Sequence, residues 1–235
     1  MLKLTRPHGI VVAIDGPSGA GKSTVARLLA ERLSYIQIDT GAMYRAAAFL
    51  LAEGGIDLSD LAAVAAFCGD LEISFELQDG KKLVIANNKN VTDLIRTPEM
   101  SLLTSRISAL KPVRSALMKA QQRMGDQGGV VLEGRDIGTV VFPDAEVKFF
   151  LSASVEERAR RRYEELLAKG EAVTLEETIS DVAERDRQDS ERAIAPLRQA
   201  DDAVLIDSSL LGIEEVVHNM FSLCQMKLSE RASQQ

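Results

Sequence analysis

The sequence predicts an α/β protein built on a parallel sheet with a nucleotide-type phosphate loop, and three observations predict it. Ile10 to Ile14 is continuously apolar, the pattern of a strand covered on both faces. GPSGAGKST follows, and then VARLLAERL with apolar residues at helical spacing, so the order is strand, glycine loop, helix. Further apolar runs then alternate with helical patterns, the sign of crossovers between parallel strands. Composition agrees. Of 235 residues, 46% are hydrophobic and 27% charged, enough to bury a core and too apolar for a disordered chain. The length suits one large domain.

The elements follow in order. YIQI, ending at Ile38, reads as a short strand before the helix AMYRAAAFLLAEG, with Thr40 as that helix's N-cap. Between about Asp70 and Thr97 the rhythm breaks into LEISFEL, QDGKK, LVIAN and NKNVT. These read as short antiparallel strands of an inserted sheet, with Asp79-Gly80 as a hairpin turn. Pro98 and Pro112 fit the first turns of two helices, where a missing N–H costs nothing. GVVLE returns the chain to the parallel sheet, VKFFL precedes the helical SVEERARRRYEELLAKG, and AVLID precedes a closing helix from about Ile213. Ser229 to Gln235 are polar and expected to fray.

Charge and cysteine usage narrow the function. A net charge of -7 repels polyanions, which argues against a nucleic-acid polymer or an anionic membrane surface as partner. No run reaches the roughly 18 to 20 apolar residues of a membrane span, and Ile10 to Ile14 is too short for a signal-peptide core. The two cysteines, Cys68 and Cys224, lie in apolar helix-like stretches and read as core filler rather than a disulfide or zinc site. The cytoplasm is the expected location.

Four motifs carry chemistry. In Gly16, Pro17, Ser18, Gly19, Ala20, Gly21, Lys22, Ser23 and Thr24, glycines let backbone N–H groups turn around a polyphosphate. Lys22 can then bridge the outer phosphates and Ser23 offer its hydroxyl to Mg²⁺, so ATP or GTP binding follows. IDTGAMYR places Arg45 near a helix start, which fits a ligand contact or a solvated helix charge. In EGRDIGTVVFPDA, Glu133, Arg135 and Asp136 sit at a strand's carboxyl end, where α/β proteins bind ligands; a turn with a local ion pair fits as well. Last come Arg158, Arg160, Arg161 and Arg162, then Arg185, Asp189 and Arg192 at i, i+4 and i+7, one helical face presenting Arg, Asp, Arg or else a solvated face laced with ion pairs.

Taken together, GPSGAGKST, IDTGAMYR, IRTPE, GRDIGTVVFPDA and ERDRQDSERAIAPL resemble bacterial cytidylate kinases, in order from about Ile10 to near the C-terminus. The resemblance implies a five-stranded parallel core with helices on both faces (about 9–40, 128–152 and 201–228), a monophosphate-binding region with the small β insert (41–127) and a helical lid (153–195). It implies phosphoryl transfer from ATP, with Mg²⁺, to CMP or dCMP, by a protein expected to act as a monomer. Gly16 to Thr24 would then hold the ATP phosphates, with the metal on Ser23. Arg45, Arg135 and Arg192 would clamp the CMP phosphate and the transferring group, joining Lys22 as catalytic residues, with Thr40 beside that phosphate. Ser105, Arg114 and Asp136 would read the cytosine edge, and Arg185 and Asp189 the ribose hydroxyls. The arginines at 158 to 162 would lie near the ATP phosphates. Two positions depart from some relatives: Glu133, where others carry Asp, and Ser23, where others carry Gly.

Such a kinase needs no catalytic base, because its acceptor is already an anion, unlike an alcohol. Two other classes share the loop: small-alcohol kinases such as shikimate kinase, which lack the insert and the GRDIGTVVFPDA run, and NTP switches, which need a residue that positions water.

Overall fold

The structure is a computed structural model that describes residues 6–168 and 170–233. The chain divides into two compact units, one of residues through Gln37 together with Gly125 onward, the other of Ile38–Met124.

The first unit holds β1 (Val11–Asp15), α1 (Lys22–Leu33), β6 (Val130–Gly134), β7 (Val147–Ser152), α6 (Val155–Ala168), α7 (Leu175–Glu191), β8 (Val204–Asp207) and α8 (Ile213–Ala232). With β2 (Ile36–Asp39) at one edge, these strands form a five-stranded sheet in the order β2-β6-β1-β7-β8. β1 is central and parallel to both neighbours, Val12 facing Val131 on one side and Val147 on the other. All five of its residues are buried, so both faces of the sheet are covered there and the unbroken apolar run is explained. On one face Val12, Ile14, Phe149 and Ile206 pack with Val25 and Leu29 of α1 and Val217 and Met220 of α8. α6 and α7 pack on each other, and Thr174 and Glu177 form a capping box at the head of α7.

The expected fraying from Ser229 is not found: α8 continues to Ala232. Its last turn is tied down by Arg231, whose guanidinium donates to the carbonyl oxygens of Gly9 (2.8 Å) and Arg6. Residues 234 and 235 lie outside the described residues.

The second unit comprises α2 (Thr40–Glu53), α3 (Leu61–Gly69), β3 (Ile73–Gln78), β4 (Lys81–Ala86), β5 (Lys89–Asn90), α4 (Pro98–Ile107) and α5 (Lys111–Gly125). The insert is the antiparallel sheet β3-β4-β5. Asp79 and Gly80 turn its hairpin at φ 51° and 74°, the paired positive angles of a type I′ turn. Val84 and Ala86 of the insert and Met43, Ala47 and Leu51 of α2 are among this unit's buried residues. No helix among the described residues is long and apolar enough to cross a membrane.

Candidate active site

β1 and β6 are neighbours, yet the chain leaves β1 toward β2 and leaves β6 in the other direction, toward β7. Right-handed connections therefore pass over opposite faces, and the carboxyl ends of β1 and β6 become the place where a doubly wound sheet receives its ligand. The glycine loop follows β1, and Arg135 and Asp136 follow β6.

Two glycines in that loop have no substitute. Gly16 adopts φ +148°, and a Cβ there would lie 2.0 Å from the Leu151 carbonyl oxygen. Gly21, at φ 91°, is the N-cap of α1 and brings no side chain to its first-turn amides. Asp39, Asp60, Thr97 and Thr174, by contrast, cap α2, α3, α4 and α7 with side-chain oxygens. An uncapped helix start with no acid in its first turn is a site for an anion. Lys22 is buried and donates from Nζ to the Pro17 carbonyl at 2.6 Å. Burial, then the charge of Arg135, push its pKa well below the ordinary lysine value, against the pull of Glu133, Asp15 and Asp189. A bound polyphosphate would restore what the lysine lacks. The Ser23 hydroxyl donates to Glu133 Oε2 (2.7 Å) and Gln37 Nε2 donates to Glu133 Oε1 (3.1 Å).

Asp15, the last residue of β1, is a site residue that the motifs did not single out. Its carboxyl accepts the Ile137 and Gly138 N–H groups at 2.8 and 2.7 Å, fixing the π-helical turn Ile137–Val141 behind Asp136. Burial raises its pKa to about 6, even though both hydrogen bonds and Lys22 act the other way. A carboxyl whose folded pKa lies above its unfolded value stabilises most below the unfolded value, and that contribution is lost as pH rises through the folded one. The rise from 3.8 to about 6 is worth about 3 kcal/mol. The difference in unfolding free energy between wild type and Asp15→Asn should therefore change between pH 4 and 6 and stay flat above it. A difference independent of pH across that window would mean that Asp15 titrates normally.

Beyond β6, Arg135 donates from Nε to Asp189 Oδ2 at 2.7 Å, and Arg192 NH1 lies 3.8 Å from Asp189 Oδ1. This is not a local ion pair, since Arg135 and Asp189 are 54 positions apart. Burial acts to raise the Asp189 pKa, but the charges of Arg135, Arg185 and Arg192 outweigh it and hold the group below the usual carboxylate value. The expected helical face of Arg185, Asp189 and Arg192 needs one correction. α7 ends at Glu191, and Arg192 leaves the helix at φ -57°, ψ 129°. Its guanidinium turns back, donating to the carbonyl oxygens of Ile194 (2.9 Å) and Ala195.

The arginines of α6, alike in sequence, separate in space. Arg158 is buried and bonded to Asp186. Arg160 and Arg162 pair along the helix with Glu157, Glu164 and Glu165, the solvated-face reading. Arg161 donates to Glu157 and to the Ser208 carbonyl (2.8 Å), and its NH1 stands 4.0 Å from where a Cβ on Gly21 would be.

In the second unit the expected N-cap of α2 is corrected. Asp39, not Thr40, caps it, accepting the Ala42 N–H at 2.8 Å. Asp39 is the extended residue, and Thr40 is already helical and buried. Arg45 donates to Asp39 Oδ2 at 3.4 Å. Ser105 lies on α4, and Arg114 on α5, where it donates to the Ser108 carbonyl (3.2 Å) with its guanidinium 5.8 Å from the Tyr44 ring centre.

A family model described as cytidylate kinase matches residues 12–226. The chain belongs to the cytidylate kinase family. The cytidylate kinase of Geobacter sulfurreducens is 60% identical over 226 residues, covering 96% of each chain. That of Citrifermentans bemidjiense is 58% identical over 229 residues, covering 97% of this chain and 98% of the relative. A solved gluconokinase from Sinorhizobium meliloti 1021 superposes with TM-score 0.50 at 16% identity, covering 98% of this chain and 99% of its own, a likeness of fold.

In this cytidylate kinase family member, sequence reasoning missed Asp15, Gln37 and Asp186. Asp15 carried a signal: a lone acid closing a fully apolar strand immediately before the glycine loop must be buried and bonded. Gln37 and Asp186 carried none, because their partners Glu133 and Arg158 are 96 and 28 positions away.

Proposed function

We propose that this chain transfers the γ-phosphoryl group of ATP to CMP or dCMP, giving ADP and CDP or dCDP, as a cytoplasmic, monomeric enzyme. The observation that carries the reading is an uncapped α1 with buried Lys22, one strand away from the Arg135–Asp189–Arg192 cluster. The family relation supports the choice of acceptor.

The donor end fits Mg²⁺. The Ser23 hydroxyl and Glu133 carboxylate form a hard oxygen pair, and no group of three or more His, Cys, Asp or Glu among the described residues could hold a metal by itself. That suits an ion held by a hydroxyl and substrate phosphates, which when bound would neutralise charge on those phosphates. Backbone N–H groups of the Gly16 to Thr24 loop, Pro17 having none, hold the donor phosphates and Lys22 meets charge growing on the bridging oxygen. Arg135 and Arg192 orient the acceptor phosphate with Arg45 and Thr40. Asp189 and Arg185 bind the ribose, and Asp136, Ser105 and Arg114 read cytosine. We assign 41–127 to monophosphate binding and 153–195 to a lid that excludes water, with Arg161 the lid arginine on the donor phosphates.

One panel tests this: ATP consumption with CMP, with shikimate-like alcohols, and without acceptor. CMP-dependent turnover is expected. Turnover dependent on an alcohol, or on no acceptor, would replace the reading with an alcohol kinase or an ATPase.

A further inference from the structure

We propose that Arg158, held by Asp186, is a positioning residue that presets the Ser18–Gly19 peptide for the donor phosphates; the proposal rests on the ATP-binding reading above. Although it stands among arginines expected to reach a nucleotide, Arg158 has a side chain only 4% exposed, and its bonds run to Ala153, Ser18 and Asp186. Its Nε donates to the Ala153 carbonyl at 2.9 Å. NH1 and NH2 grip the two Asp186 oxygens at 3.0 and 2.5 Å, a bidentate fork that fixes the guanidinium plane. NH1 also donates to the Ser18 carbonyl at 3.0 Å, 140 positions away in the glycine loop.

That last bond sets an orientation. In a trans peptide the carbonyl of one residue and the N–H of the next point to opposite sides, and there is no cis peptide among the described residues. Drawing the Ser18 carbonyl to Arg158 therefore turns the Gly19 N–H away from it. The reversed peptide would set a carbonyl lone pair against the donor phosphates, oxygen facing anion. Packing reinforces the arrangement, since a Cβ on Gly19 would lie 3.1 Å from Arg158 Cβ. Glycine has freedom to flip this peptide, and Arg158 removes it. Asp186 in turn keeps the buried guanidinium compensated and in plane; without it the fork has no reason to stay aimed at the loop. The loop's readiness for phosphate is thereby held from α7, the helix that also carries Arg185 and Asp189.

The test uses the full chain and three variants, Asp186→Ala, Asp186→Glu and Arg158→Lys. It reads the Kd for ATP with Mg²⁺ by calorimetry, the KM for CMP, and the Tm. Losing one well-aimed amide–phosphate bond weakens ATP by about tenfold or more in Asp186→Ala and Arg158→Lys. The KM for CMP should rise several-fold less than the Kd for ATP, because the Arg158 bonds run to Ser18, Ala153 and Asp186 and not to Arg135, Asp189 or Arg192. Asp186→Glu, which can rebuild the fork, should recover most of the ATP affinity. A lower Tm with unchanged ATP affinity overturns the proposal, because the pair then only braces α6 against α7. So does an equal rise in both substrates' constants. Should Asp186→Ala not fold, unchanged ATP affinity in Arg158→Lys overturns it equally. A wild-type chain that binds no ATP in the same titration overturns the functional reading first, and the proposal with it.

Discussion

Lys22→Met should lower CMP-dependent ATP turnover by about a thousandfold, because one preorganised donor at a developing charge is worth 10² to 10³ in rate and Lys22 brings a full charge. The fold should survive. Lys22 is buried, and desolvation together with Arg135 already works against its protonated form in the free protein. An apolar side chain of similar length removes that cost while losing the bond to the Pro17 carbonyl. The two effects oppose, so the Tm should move little while kcat collapses. Steady-state rates at saturating CMP and a thermal unfolding curve on the same sample are the measurements. Near-normal turnover in this variant would place the donor phosphates away from the glycine loop.

How much of this is legible in the sequence follows from where the information lies along the chain. The glycine loop is contiguous, so GPSGAGKST states its chemistry within nine residues. The buried strands were legible because coverage on both faces leaves an unbroken apolar run, as Val11–Asp15 shows. Asp79-Gly80 was legible because few residue pairs tolerate two positive φ angles in succession. Local rules failed where two adjacent residues could do the same job. Asp39 and Thr40 both make good N-caps, and only the extended backbone at Asp39 decides between them. They also failed where a contact spans the fold. Ser23 and Glu133 are 110 positions apart, and nothing in either neighbourhood announces the other. The arginines of α6 failed for a third reason. Each step along a helix turns the side chain by about 100°, so chemically equal neighbours meet different surroundings: Arg158 the loop backbone, Arg160 the water, Arg161 the edge of Gly21.

Arg135 and Asp136, adjacent in the bend after β6, also meet different surroundings. Arg135 is half-buried and bonded to Asp189, whereas Asp136 is buried at the head of the π-helical turn, its carbonyl accepting the Val140 and Val141 N–H groups at 2.9 and 3.1 Å. Neighbours so differently placed should fail differently. A carboxylate only accepts hydrogen bonds, so in the cytosine contact proposed for it Asp136 would take one from the exocyclic amine of cytosine but meet a lone pair at the corresponding oxygen of uracil. One such contact discriminates by about 1–3 kcal/mol, roughly ten- to 150-fold. Asp136→Ala should lower kcat/KM for CMP and narrow the CMP-to-UMP ratio by that factor. Arg135→Ala should depress both acceptors alike, since the phosphate it is proposed to hold is common to them. Its effect should be the larger one, because the variant also strips Asp189 of a charge-assisted partner. The measurement is kcat/KM for CMP and UMP in both variants at saturating ATP. An unchanged ratio in Asp136→Ala would move base selection to Ser105 and Arg114, where Arg114 beside Tyr44 is the next side chain to replace.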